Sequence, residues 1–400
     1  MNTTPNANRL HISIFGKTNA GKSSLFNTII GQDLSIVSSV KGTTTDPVSK
    51  AMEFLPFGPV VWLDTAGLKD TGELGKLRME KTLQIVNRTD FALYIIDSSN
   101  PDLDEYKKMA LTFKKHNIPH MVVCNKKDLI NDTQRESLIK SIPNSVFVSV
   151  KDSNSILMLK DLLLEKLQKQ EEEKPILGDL IPYGGNVILV VPIDSEAPKG
   201  RIILPQVQVI RDCLDHGIKT YVVRDTELED ALHELSKVDL VITDSQAFKE
   251  VSKIVPVSIP LTSFSILFAR YKGDLNVFLD GISAIEHLDE HSKILISESC
   301  THNHSHEDIG RVKIPRMLRN HTGKDLKFDF KMGHDFPSED LSKYDLIIHC
   351  GSCMLTPKTM KTRISLCEES GTNITNYGMV LAYSTGILPR SIEIFLKEGL

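Results

Sequence analysis

The run "GKTNAGKS", Gly16 to Ser23, constrains this chain more than any other short segment. It fits G-x-x-x-x-G-K-[ST], follows the apolar stretch "LHISIF" and opens a helical pattern, so it predicts a strand, a phosphate-binding loop and a helix in that order. Backbone N–H groups of such a loop and of the helix N-terminus bind phosphate oxygens. The Lys22 ammonium neutralises the β and γ phosphates, and the Ser23 hydroxyl ligates magnesium. Gly16, Lys17, Thr18, Asn19, Ala20, Gly21, Lys22, Ser23 and the adjoining Ser24 are the expected nucleotide-contacting residues of this loop, with Lys22 and Asn19 among the catalytic candidates.

Three further segments fall where a nucleotide site needs them. "DTAG" ends a buried strand, placing the Asp64 carboxylate toward the magnesium shell and the Gly67 N–H toward the γ phosphate. "NKKD" holds Asn125, Lys126 and Asp128, and the Asp128 carboxylate can accept from N1–H and the 2-amino group of guanine. Adenine offers neither donor, and a site that buries a polar group for a missing partner rejects that base strongly. The predicted nucleotide is therefore GTP. "SVK", Ser149, Val150 and Lys151, follows the last strand where similar GTPases carry Ser-Ala-Lys beside the base, so Val150 is a departure. "GTTTD" reads as a switch loop with Thr44 as the second magnesium hydroxyl, and Thr43 and Thr45 are alternatives. After Gly67 stands Leu68, which cannot orient water as the glutamine of Ras-like proteins does. Asn19 and "GTTTD" together resemble the potassium-activated GTPases of the TrmE and Era group, in which that asparagine helps hold K+. The cation would place positive charge against the developing phosphate charge. A plain loop-stabilising role for Asn19 is the alternative.

The fold class is α/β. From Leu10 to about Gln170 apolar strands alternate with helical patterns, which predicts a mostly parallel sheet. At 400 residues the chain exceeds one ordinary core at roughly 100–200 residues per domain. The charged stretch "EKLQKQEEEKP" reads as a linker. The expected division is a GTP-binding domain over 1–172, a small α/β domain over 176–262 and a third α/β domain over 263–400, the last opening on a long helix. A net charge of -5 disfavours nucleic acid as a partner. "MNTTPNANRL" lacks an apolar leader and no apolar run approaches the ~18 residues that span a bilayer, which predicts a cytoplasmic protein with no membrane partner.

The last third holds a different chemistry. "ESCTHNHSHE" follows the strand "KILIS", and "HCGSC" follows the strand "YDLII". Loops at the carboxyl ends of neighbouring parallel strands converge on one crevice. Cys300, Cys350 and Cys353 are thereby expected to meet, in a segment from 300 to 350 that carries six of the thirteen histidines. Six cysteines with one C-x-x-C in a chain without an export signal favour metal or redox use. By ligand chemistry, structural zinc and an iron-sulfur cluster stand level, ahead of a redox dithiol. Cys124, Cys213 and Cys367 lie in apolar contexts and read as small core residues.

Cys300-x-His302, then 46 residues, then His349-Cys350-x-x-Cys353, behind a GTPase domain with Asn19, resembles the FeFe-hydrogenase maturation GTPases of the HydF family. "NRLHISIFGKTNAGKSSL" and "VPIDSEAPKGRIILPQVQ" look like that family too, so the resemblance runs over nearly the whole chain. It implies a homodimeric scaffold or carrier that binds a 4Fe-4S cluster through Cys300, Cys350 and Cys353. It further implies receipt of a transient di-iron precursor from the maturases HydE and HydG and delivery to the apo-hydrogenase HydA. The middle domain would be the dimerisation unit. For the fourth iron position His302 and His349 match the family pattern, with His304, His306, Glu307, water or the precursor as alternatives. The rival reading is an RNA-modification or ribosome-assembly GTPase with a zinc-binding C-terminal domain. It lacks a visible basic stripe or aromatic ladder. A GTP-regulated oxidoreductase would need a cofactor fold that is not seen.

Overall fold

The computed structural model describes residues 5–31, 36–38, 48–64, 82–169, 174–193, 202–299, 308–332, 336–337 and 340–396. The chain divides into two compact units, Met1–Glu173 and Lys174–Leu400.

In the first unit, β1 (Leu10–Phe15), β2 (Ile36–Ser38), β3 (Val48–Phe54), β4 (Gly58–Asp64), β5 (Phe91–Asp97), β6 (His120–Asn125) and β7 (Val146–Phe147) form one sheet in the order β2-β3-β4-β1-β5-β6-β7. β1 pairs in parallel with β4 and β5, and the parallel run continues through β6 to β7, while β2 and β3 add an antiparallel edge. Helices cover both faces of such a sheet, so its strands are apolar on both sides. Side chains of successive residues alternate between the faces. Ile12, Ile14, Leu93, Ile95 and Val123 enter one core, while Phe15, Tyr94, Ile96, Val122 and Cys124 enter the other.

The second unit contains two parallel four-stranded sheets. β8 (Asn186–Val190), β9 (Lys219–Val223), β10 (Leu240–Thr243) and β11 (Leu261–Ser263) stand in the order β11-β10-β8-β9. β12 (Lys293–Glu298), β13 (Lys327–Met332), β14 (Leu346–His349) and β15 (Asn373–Asn376) stand in the order β13-β12-β14-β15. One hydrophobic cluster joins Leu189 and Ile242 of the first sheet to Leu295 and Ile347 of the second, through Phe264, Phe268 and Phe278 of the intervening helices.

The long helix expected after Ser263 is instead two, Phe264–Lys272 and Leu275–Ser283. Gly273 leaves the helical conformation, and the Asp274 carboxylate starts the second helix by accepting from the N–H groups of Asn276 and Val277. Among the described residues no helix is long and apolar enough to cross a membrane.

Candidate functional site

In the first sheet the chain leaves β1 toward one edge and returns as β5 on its other side, so the carboxyl ends of these strands flank a crevice. The phosphate loop emerges there. Gly16 has φ 135° and a Cβ would stand 2.2 Å from the Ile95 carbonyl oxygen, so only glycine lets the loop pass β5. Lys22 is buried, and its Nζ donates to the carbonyl oxygens of Gly16 at 2.6 Å and Lys17 at 2.7 Å. Ser23 and Ser24 follow, exposed, in the first turn of helix Lys22–Gly31.

The base-reading motifs also brace this loop. Asn125, 2% exposed, donates from Nδ2 to the Ala20 carbonyl at 3.1 Å. Lys126 takes a left-handed conformation and its Nζ reaches both the Asn19 carbonyl at 2.9 Å and Asp97 Oδ2 at 2.6 Å. Asp128 Oδ1 accepts from the Ser149 hydroxyl at 2.7 Å, and Oδ2 accepts from Lys151 Nζ at 3.0 Å. These bonds, Ser149 first and Lys151 second, hold the Asp128 carboxyl below its usual range. Val150 projects outward between them, 36% exposed. The structure thus brings "NKKD" and "SVK" together despite the unusual valine.

Asp97 was not singled out by sequence. Burial works to raise its pKa, but hydrogen bonds from Lys126 and Ser99 outweigh this and leave it lowered. With Lys17, Thr18, Asn19, Tyr94 and Asp102 it lines a depression beside the loop. Asp64 ends β4 opposite Ile14, and its side chain lies outside the described residues, as do Thr43, Thr44, Thr45, Gly67 and Leu68.

The last sheet reverses direction between β12 and β14, and both cysteine loops leave from that switch point. Cys350 is buried, donates its backbone N–H to Ser297 O at 2.9 Å and receives the Ser299 N–H on Sγ at 3.2 Å. Cys353 is half-buried on the same turn, which bends at Ser352 (φ 56°) before Thr356 caps helix Pro357–Glu369. Cys300, His302, His304, His306 and Glu307 lie outside the described residues, although Ser299 places the chain beside Cys350 Sγ. Among the described residues no group of three or more metal-donor side chains assembles. The donors present nevertheless suit a thiolate-held group: two thiols on one turn, one of them hydrogen-bonded by a backbone N–H.

His349 lies next to the cysteine turn. It is fully buried, its Nδ1 bonds the Cys350 carbonyl at 2.9 Å, and Arg363 Nη1 donates to its Nε2 at 2.6 Å. Both ring nitrogens are thus engaged within the protein.

Two residues unremarked in the sequence lie beside the cysteine turn. Glu298, half-buried at the end of β12, accepts from the Tyr377 hydroxyl at 2.9 Å, and burial pushes its carboxyl up. Lys272 lies beneath the cysteine turn and donates to three of its carbonyl oxygens. Burial lowers it to about 8, against the opposing pull of the Cys353 and Cys350 thiols. Cys124, Cys213 and Cys367 are fully buried and their thiols are pushed up to about 11, 11 and 12 by burial, as inert core residues should be.

A model of the hydrogen maturase F dimerization domain matches residues 176–273, and one of the hydrogen maturase F tetramerization domain matches 276–394, together more than half of the chain. The chain belongs to the hydrogen maturase F family. Ahead of these two regions the family carries a GTPase domain here, since residues 11–126 match the model described as 50S ribosome-binding GTPase. GTPase Der of Sulfurimonas denitrificans is 33% identical over 40% of this chain and 34% of its own length. The tRNA modification GTPase MnmE of Mesoplasma florum is 31% identical over 44% of this chain and 37% of its own length. The chain thus spans about a third of the length of these curated relatives. An uncharacterised protein of Methanocaldococcus jannaschii is 32% identical over 40% of this chain and 96% of its own. Among solved structures, Era of Aquifex aeolicus bound to GDP and AlF4- covers 61% of this chain and 97% of its own, at 20% identity and a TM-score of 0.31. The G domain of FeoB from T. maritima covers 39% and 99% at 19% identity and a TM-score of 0.28. Scores this low carry no argument.

Proposed function

We propose that this hydrogen maturase F-family chain is a cytosolic, GTP-hydrolysing scaffold of FeFe-hydrogenase maturation. It takes a di-iron precursor from HydE and HydG as cargo and passes it to apo-hydrogenase HydA. The division into 1–172 for GTP, 176–262 for dimerisation and 263–400 for the cluster accompanies this proposal. The observation that carries it is the Cys350–Cys353 turn, set at the switch point of a parallel sheet in a region of hydrogen maturase F character. A ribosome-directed GTPase would leave residues 176–394 without a purpose.

At the nucleotide, Lys22 exchanges its two loop carbonyls for β and γ phosphate oxygens, a charge-assisted bond in place of neutral ones. Ser23 and Thr44 supply hydroxyls to Mg2+, Asp64 stands behind its shell, and the Gly67 N–H meets the γ phosphate. Asp128 reads guanine, with Ser149 and Lys151 fixing the carboxylate plane. Asn19 contributes an oxygen to K+. Turnover is expected to be slow and faster in potassium than in sodium salts. Equal rates in both, with Asn19→Ala behaving like the parent, would remove that role.

At the other site Cys300, Cys350 and Cys353 would hold a 4Fe-4S cluster, whose iron with a replaceable fourth ligand supplies a docking point for cargo. The Ser299 N–H meets Cys350 Sγ, and Cys353 follows on the same turn past Ser352. The edge strand β9, with Tyr221 and Val222 exposed, is the proposed contact between protomers. One preparation tests the reading. Protein purified without oxygen should be brown, sediment as a dimer or a multiple of it, and hold iron and sulfide. Stoichiometric zinc at the cysteines, with iron failing to bind on reconstitution, would overturn it.

A further inference from the structure

Helix Phe264–Lys272 turns Phe264, Phe268 and Lys272 to one buried face, since residues four apart lie above one another. A lysine at the end of such a face is out of place unless something below requires it. Lys272 is 1% exposed. Its Nζ donates to the carbonyl oxygens of Ser352 at 3.1 Å, Cys353 at 3.3 Å and Leu355 at 2.8 Å, and lies 5.3 Å from the Phe268 ring centroid. Three acceptors match the three donors of an ammonium. Carbonyl dipoles hold the group but do not neutralise it, and burying a charge without a counter-charge is costly. The titratable groups that act on it are the Cys353 and Cys350 thiols.

A second buried cation acts on the turn through a histidine. Arg363, 3% exposed, donates to His349 Nε2, and His349 passes a hydrogen bond to the Cys350 carbonyl. The turn that carries two expected cluster thiolates is therefore held directly by one buried cation and, through His349, by a second. Such a setting is built for an occupant of net negative charge.

We propose that Lys272 is a positioning residue for the cluster: it shapes the Cys350–Cys353 turn through three carbonyls and fixes a positive charge behind two ligand sulfurs. The inference rests on the assignment of Cys350 and Cys353 as cluster ligands. When a titrant such as dithionite delivers one electron, the cluster gains one negative charge. A cation at fixed distance in a poorly screened interior stabilises the reduced state more than the oxidised one. Lys272 therefore raises the midpoint potential.

The test compares the full-length parent with Lys272→Arg, Lys272→Gln and Lys272→Met, each reconstituted with iron and sulfide and titrated by paramagnetic resonance. Gln and Met are expected to move the midpoint negative by at least about tenfold in the reduction equilibrium, or about 59 mV for one electron. Arg should stay near the parent. In metal-free protein, amide exchange over residues 350–356 should accelerate in Gln and Met, with thermal melting reporting whether each variant is folded. Folded Gln or Met variants that hold the cluster at the parental potential would overturn the inference alone. A parent that takes up no iron and sulfide would overturn the cluster assignment, and this inference with it.

Discussion

Replacing any one of Cys300, Cys350 and Cys353 with alanine is expected to remove the visible chromophore and the reduced-state paramagnetic signal, and with them hydrogenase maturation, while GTP hydrolysis continues. A cluster held by three thiolates that loses one has an iron without a protein ligand and becomes labile. Cys350→Ala does further harm. Its sulfur receives the Ser299 N–H in a buried setting, so the variant also orphans a backbone donor beside the Cys300 loop. Hydrolysis should survive because the phosphate loop and its braces lie within Met1–Glu173, a compact unit apart from Lys174–Leu400. Substitutions without shared partners leave one another's sites nearly unchanged, so GTP turnover is expected within about twofold of the parent. The measurements are iron content, visible absorption, phosphate release and activation of apo-hydrogenase in one set of preparations. A variant that keeps chromophore and maturation would take its cysteine out of the ligand set.

Asp128→Asn is expected to exchange the nucleotide. In the parent the carboxylate has Ser149 on Oδ1 and Lys151 on Oδ2, and each oxygen keeps a lone pair for the guanine N1–H and 2-amino donors. An amide at this position presents its NH2 to the 2-amino group, donor against donor. Xanthine carries a 2-oxo group there, and the amide can donate to it while its oxygen accepts from N1–H. GTP binding should fall by on the order of 10²-fold or more and xanthosine triphosphate should become the preferred substrate. Competition binding with both nucleotides reads the result. Unchanged GTP preference would remove Asp128 from the base site.

The cysteine-bearing loops were legible because "YDLII" and "KILIS" announce parallel strands, and such strands deliver their following loops to one end of a sheet. The same rule did not reveal β13. "KFDFKM" is an edge strand with mostly exposed residues, so it carries no buried apolar run to mark it. β15, "NITN", is short and carries polar ends that its neighbours satisfy, Asn373 with Asp345 O and Asn376 with Ser265 O. The break at Gly273–Asp274 lies between two apolar helical patterns, Phe264–Lys272 and Leu275–Ser283.

By itself the sequence determined the phosphate loop, the guanine-reading motifs and the spacing of the cysteine turn, because each is a short-range pattern whose chemistry is complete within a few residues. Tertiary structure alone decided what surrounds them. His349 adjoins Cys350 in the chain and looks like a ligand, yet in the fold its ring nitrogens meet the Cys350 carbonyl and Arg363, a residue fourteen positions on. Lys272 is 80 residues from Ser352 and reads as an ordinary cation at a helix C-terminus until packing brings it beneath the cysteine turn. Local pattern encodes which atoms can bind a ligand, while the buried charges around them come from distant segments that meet only when the core closes.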